Sequence, residues 1–235
     1  MTLSSDLIPV SAQDIYLGLA AVYHKGLWPL PVVGVVVAIA LWVAVFLRPS
    51  PLTDVIVEII LDLMWLGIGA VWFVLKVGPA FGWGYVGAAV FILQSTVFLA
   101  AAVFGAVSFT KPRRLFPLAA GGFIALVAAA GYPVGAWLMG RRGVEIGLVG
   151  TAAGPTALFT LGFILATTER PSPLLITLPT LWVLGAGVYL ATTLGLHEEL
   201  ILAGGAAAGI AAWLYIYLQP GRTPTPAASE GAPPC

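Results

Sequence analysis

The sequence predicts an all-α membrane protein, a bundle of about seven transmembrane helices, and two observations support this prediction. Of the 235 residues, 60% are hydrophobic and only 9% are charged, whereas a soluble domain has about 25% charged residues. Apolar stretches of about 20 residues, long enough to cross the hydrocarbon core of a bilayer, recur between short breaks rich in Pro, Gly and charge. A lipid bilayer is therefore the expected solvent of most of this chain.

Residues 1–27 are predicted to be an N-terminal leader. They are not a cleavable signal peptide, because no basic segment leads into a short apolar core. Ser11, followed three residues later by Asp14, has the spacing of a capping box. We therefore expect a short helix over 11–25 that lies at the membrane interface. A plain ordered leader is the alternative.

Seven spans make up the predicted transmembrane domain, 28–218. They are placed at 28–47, 55–76, 84–107, 115–139, 152–168, 174–193 and 199–218. The fifth is short and the second contains two acids, so these two determine the number of crossings. The tail, 219–235, is rich in proline and small residues and has no aromatic residue, so it is predicted to be disordered.

Orientation follows from the distribution of Lys and Arg, which are enriched in cytoplasmic loops. The side that holds the C-terminus has six of these residues and the other side has four. The larger set is Arg48, Lys111, Arg113, Arg114, Arg170 and Arg222, and the smaller set is Lys25, Lys76, Arg141 and Arg142. This bias predicts a cytoplasmic C-terminus and an N-terminus outside the cell.

The second span contains the clearest candidate site. Asp54, Glu58 and Asp62 are four residues apart, which places them along one stripe of a helix. A carboxylate inside the bilayer costs several kcal/mol unless it is protonated, paired or hydrated. The stripe therefore predicts a group that accepts a proton or a cation. If the span instead begins near Leu61, the acids lie at the interface; in a second alternative they pair with the arginines at 48, 113 and 114.

Gln94 is the most informative polar residue of the third span, because its amide needs hydrogen-bond partners in an apolar environment. One interpretation is that it lines a polar path together with the acids of the second span. The other is that it forms hydrogen bonds that hold two helices together.

A second set of candidate residues is expected on the opposite, outer face. It consists of His24, Glu145, His197, Glu198 and Glu199. Imidazole and carboxylate groups are suitable ligands for zinc or another first-row divalent metal. Since these residues are far apart in sequence, solvated loop residues are the alternative. No cofactor is predicted.

Small residues indicate close helix packing. Gly131 with Gly135, and Gly205 with Gly209, have GxxxG spacing, which allows helix backbones to approach closely in lipid. These faces can pack within one bundle, or they can dock a second copy or a partner membrane protein. Lys and Arg together equal Asp and Glu at 10 each, so the charge gives no indication of nucleic-acid binding.

Several short motifs occur in order over residues 22–215. They are VYHKGLWP at 22–29, the pair Tyr132 and Pro133, the elements EIGL, GPT and TLG within 145–162, and LPTLW at 178–182. In this order the chain resembles a bacterial family catalogued only as a domain of unknown function. His24 occupies a position where that family has Asn, and Gly154 one where an acid is common. The resemblance implies a compact multi-pass protein of the bacterial inner (plasma) membrane, and it implies no activity.

The first functional hypothesis from the sequence is transport of a small solute, cation or proton through the second and third spans. The alternative is a non-catalytic accessory or assembly subunit of a membrane complex. No P-loop, GxSxG or HExxH motif is present, so we expect no enzymatic activity. A membrane enzyme that uses the outer His and Glu residues is a third possibility.

Overall fold

The computed structural model describes residues 11–110 and 115–218, which form eight helices and no strand. The helices are α1 Ala12–Gly26, α2 Leu30–Leu47, α3 Pro51–Ala80, α4 Gly84–Phe104, α5 Leu115–Leu138, α6 Ala153–Thr167, α7 Pro173–Thr193 and α8 Glu199–Leu218. The middle of α5 and the second half of α3 are π-helical, at Val127–Gly131 and Ile68–Val77. The predicted tail at 219–235 lies outside the described residues.

Six of these helices, α2 to α5, α7 and α8, are long and apolar enough to cross a membrane. Together with the shorter α6 they confirm the predicted bundle of about seven. Large apolar side chains point outward from these helices; Leu47 is 74% exposed and Phe104 is 80% exposed. Outward apolar faces of this extent require lipid around them, so the chain is a multi-pass integral membrane protein.

The second crossing begins earlier than predicted, at Pro51 rather than at residue 55. Ser50 caps the helix, because its side-chain oxygen accepts a hydrogen bond from the backbone N–H of Thr53 at 3.1 Å. Proline suits the first helical position that follows. All three acids of the stripe are therefore helical, and a membrane crossing that begins near Leu61 stays an alternative prediction.

Helix α1 confirms the predicted capping box. The Ser11 hydroxyl oxygen accepts from the backbone N–H of Asp14 at 3.1 Å, and the Asp14 carboxylate accepts from the backbone N–H of Ser11 at 3.2 Å. The helix packs against the 3₁₀ turn Gly143–Glu145 and against the π-helical part of α3. It thus covers one end of the bundle, and Ala12–Gly26 is helical, as expected for the short helix. Its position at a membrane interface stays a prediction.

The centre of the bundle is α6, in which every residue except Gly154 is buried. It packs against α3, α5, α7 and α8, and it is apolar on all sides, as expected for an enclosed helix. With 15 residues it is about 22 Å long, which is shorter than the hydrocarbon core of about 30 Å. Two of its buried threonines donate within the helix, Thr160 to the Thr156 carbonyl at 2.8 Å and Thr167 to the Phe163 carbonyl at 2.6 Å.

Glycines let the neighbouring helices approach α6. A Cβ atom added at Gly205 would lie 2.8 Å from Leu158, and one at Gly209 would lie 2.6 Å from Leu161. A Cβ at Gly135 would collide with Ile201 of α8. These glycines therefore serve packing within the chain, which is one of the two roles expected for the GxxxG pairs. Docking of a second copy or a partner stays a prediction.

Gly121 marks the closest approach of α5 to α6 and provides a test of this packing. An added Cβ would lie 2.5 Å from both the Ala166 nitrogen and the Gly162 oxygen, which are backbone atoms that cannot move aside easily. We expect Gly121→Ala to destabilise the protein by about 1–3 kcal/mol through overpacking and to lower its melting temperature in detergent. Gly122→Ala is the matched control, because nothing lies within 4 Å of its Cβ. Equal melting temperatures for the two variants would contradict this account.

Candidate functional site

The acidic stripe of α3 faces the interior of the bundle. Asp54 is half-buried and accepts a hydrogen bond from the backbone N–H of Phe109 at 2.9 Å. Asp62 is buried and accepts a hydrogen bond from the hydroxyl of Ser95 on α4. Glu58 lies between them, about 10 Å along the helix from Pro51. The structure thus brings the three predicted acids together along one internal face.

Glu58 differs from the other two acids because its carboxyl group has no partner. It is 1% exposed, and neither of its oxygens makes a hydrogen bond. Arg48 is exposed, and no cation within residues 11–110 and 115–218 pairs with any acid of the stripe. Residues 113 and 114, the other predicted ion-pair partners, lie outside the described residues.

Gln94 connects two helices. Its side chain is fully buried, and its amide Nε2 donates to the Leu175 carbonyl of α7 at 3.4 Å. That carbonyl would normally accept from the residue four positions later, which is Pro179 and has no N–H. The amide therefore satisfies a backbone oxygen that the proline leaves free, and this supports the interpretation of Gln94 as a link between helices. Its Oε1 atom has no partner, so a role in a polar path stays a prediction.

An aromatic layer, which we define as Trp65, Phe73, Phe91 and Trp182, lies beyond the stripe. Trp65 stacks on Phe91 with ring centroids 4.3 Å apart, and Trp182 contacts Phe91 and Phe73 at 5.2 and 4.9 Å. The indole N–H of Trp65 donates to the Thr160 hydroxyl of α6 at 3.0 Å. The layer thus joins α3, α4 and α7 and is attached to the central helix.

On the far side of the aromatic layer, beneath α1, is a cavity of about 50 Å³. Its wall includes Tyr23 and His24 of α1, Tyr132 of α5 and Glu199 of α8, and Trp182 of the aromatic layer also lines it. The Tyr132 hydroxyl donates to Glu199 Oε1 at 2.8 Å. The cavity and the acidic stripe therefore lie at opposite ends of the bundle, with the aromatic layer between them.

Burial determines the ionisation of the two α1 side chains in this wall. It lowers the pKa of His24 from its ordinary value, and a hydrogen bond from Nδ1 to the Val144 carbonyl at 2.8 Å partly opposes that shift. His24 is therefore neutral at neutral pH, with Nε2 as an acceptor. Burial also raises the pKa of Tyr23 to about 12, so this phenol keeps its proton.

The proposed metal ligands are only partly brought together. His24, Glu145 and Glu198 line the cavity, whereas His197 is exposed and lies outside its wall. Glu198 accepts a charged hydrogen bond from Arg141 Nε at 2.6 Å. Among the described residues, no group of three or more His, Cys, Asp or Glu side chains is placed to hold a metal. The metal site stays a prediction that this arrangement does not support.

Sequence reasoning missed the tyrosines of the cavity, Tyr16, Tyr23 and Tyr132. Tyrosine in a membrane protein ordinarily indicates an interfacial position, so these residues gave no reason to expect a site. The available indication was the pair Glu198 and Glu199 at the start of an apolar span, because a carboxylate there needs a nearby donor. Tyr132 supplies that donor to Glu199.

Burial of His24 makes stability depend on pH. In the unfolded chain, His24 is protonated below about pH 6.5, the ordinary pKa of histidine. In the folded protein, burial lowers the His24 pKa, so the ring stays neutral to a lower pH. We expect the contribution of His24 to lower the melting temperature as the pH decreases from about 8 to about 5. His24→Gln should reduce this slope, and the control His197→Gln, at an exposed position, should not. Identical slopes for the two variants would contradict the role of His24.

Comparison with protein-family models matches residues 13–223 to a family of unknown function, DUF6064. This match confirms the resemblance to an uncharacterised family. No curated protein and no solved structure matches the chain.

Proposed function

Because the chain belongs to DUF6064, a family of unknown function, we propose its activity from the described geometry. We propose that it is a proton-coupled transporter of a small solute, in which the Glu58 carboxyl group holds the proton. The supporting observation is that Glu58 is buried and that neither of its oxygens has a hydrogen-bond partner.

The energetic argument rests on the difference between Glu58 and its two neighbours. Asp54 and Asp62 each accept a hydrogen bond, which stabilises a carboxylate. An ionised Glu58 would be a buried charge with neither counter-ion nor donor, which costs several kcal/mol. Glu58 is therefore neutral while the helices are closed around it, and it exchanges its proton when they open to water. Proton coupling requires a group whose protonation depends on whether the bundle is open or closed.

The aromatic layer supports the same proposal. Its rings lie between the acidic stripe and the cavity beneath α1. Two polar regions separated by packed rings are suited to alternating access, in which one side opens at a time. With the orientation expected from the positive charges, Glu58 exchanges protons with the cytoplasm and the cavity opens to the outside of the plasma membrane.

The accessory-subunit alternative has less support. It uses the Gly-rich faces to dock a partner, and Gly205 and Gly209 already pack against Leu158 and Leu161 of the same chain.

Proton movement into proteoliposomes tests the proposal. With a pH-sensitive dye inside, a membrane potential that is negative inside and small polar solutes outside, we expect wild-type vesicles to acidify faster than protein-free vesicles. Glu58→Gln should reduce the rate to that of protein-free vesicles, because an amide cannot carry the proton.

Asp54→Asn is the matched control within the same stripe. Its amide oxygen still accepts the Phe109 N–H, so most of the proton movement should remain. Glu58→Gln vesicles that acidify at the wild-type rate would refute the role of Glu58. Wild-type vesicles that behave like protein-free ones would refute proton transport.

A further inference from the structure

The wall of the cavity beneath α1 contains polar groups that have no hydrogen-bond partner among the described residues. Tyr23 is 5% exposed, and its hydroxyl makes no hydrogen bond with a described residue. His24 is 6% exposed, and its single hydrogen bond, from Nδ1 to Val144, leaves Nε2 without a partner in the described part of the chain. Both residues line the cavity, so a ligand bound there would supply the partners that these two atoms lack.

The free atoms of this wall are mostly acceptors. His24 Nε2 accepts because Nδ1 holds the ring proton. Glu199 receives the Tyr132 hydroxyl on Oε1, and its Oε2 lies toward Gly154, whose added Cβ would be 3.2 Å away. The tyrosine at 23 can accept through its phenol oxygen. A ligand that fits these atoms must therefore donate several hydrogen bonds.

The charges of the wall favour a cation. Glu198 is paired with Arg141, whereas no cation in the described ranges forms an ion pair with Glu199. The Glu145 carboxylate accepts from the backbone N–H of Arg142. Since His24 is neutral, an ionised Glu199 would be a charge of the cavity wall that has no ion pair among the described residues. A positively charged ligand would complete the pair that Glu199 lacks.

Aromatic rings and cavity size restrict the ligand further. Tyr16 and Tyr23 pack against Trp72 with ring centroids 5.6 and 5.0 Å away, and all three line the cavity. Such rings attract cations, most strongly away from water. A water molecule needs roughly 10–15 Å³, so the volume of about 50 Å³ has room for about three waters or one cation of the size of methylammonium.

We propose that this cavity binds a small primary ammonium ion, with Glu199 as its counter-ion and with His24 and Tyr23 as acceptors of its N–H groups. An ammonium head group has three donors, which matches these three acceptors. The statement that this ammonium ion is a transported substrate rests on the proposed function. The statement that the cavity binds it does not depend on Glu58.

Calorimetric titration of the purified protein in an amine-free buffer, with methylammonium chloride as the probe, tests the site. We expect saturable binding to the wild type, and no comparable heat from sodium or potassium chloride. Glu199→Gln should weaken binding about tenfold or more, because it removes the counter-charge. Tyr23→Phe removes only a hydroxyl without a partner, so it should fold normally, and it should also weaken binding.

His197→Gln, at an exposed position outside the cavity wall, is the control and should bind like the wild type. No saturable binding to the wild type, an equal response to sodium, or unchanged binding by both cavity variants would each overturn the proposal. Binding without proton movement would refute the proposed function and leave this site standing. Proton movement without methylammonium binding would refute this site alone.

Discussion

Burial of α6 on all sides is the constraint on which the rest of the structure depends. A helix of about 22 Å cannot connect both faces of a bilayer, so the chain at each of its ends enters the bundle as non-helical backbone. Within membrane-embedded protein, such backbone must find partners. At one end the Gly150 N–H donates to the Thr156 hydroxyl at 2.8 Å. At the other end the Thr110 N–H donates to the Thr167 carbonyl at 2.7 Å.

The same constraint produces the two polar regions. Because α6 is short and its neighbours are longer, the surrounding helices extend beyond it, and buried polar side chains occur near both of its ends. The acidic stripe lies toward one end and the cavity beneath α1 lies at the other. Between them Trp65 is attached to Thr160 of α6, so any movement that opens the aromatic layer also changes a contact with the central helix.

The sequence predicted the crossings well, because an apolar stretch of sufficient length has few alternatives in a bilayer. The helix of the second span begins four residues before the predicted span, since the cap at Ser50 and the proline after it stand outside the apolar run that located the span. Burial of Glu58 could not be predicted, because it depends on the direction in which α3 turns its acidic face. The hydrogen bond from Gln94 to the Leu175 carbonyl could not be predicted either. It joins two helices, and the carbonyl is available because Pro179 has no N–H. His197 and Glu198 are adjacent in sequence, yet only Glu198 lines the cavity.

The central claim is that Glu58 holds a proton at neutral pH while the bundle is closed. Infrared difference spectroscopy measures this directly, because a protonated carboxyl group has a C=O stretching band that a carboxylate lacks. We predict that the wild-type protein at neutral pH shows such a band and that Glu58→Gln removes it, whereas Asp54→Asn leaves it in place. A wild-type spectrum without the band, or one that Glu58→Gln does not change, would contradict the account.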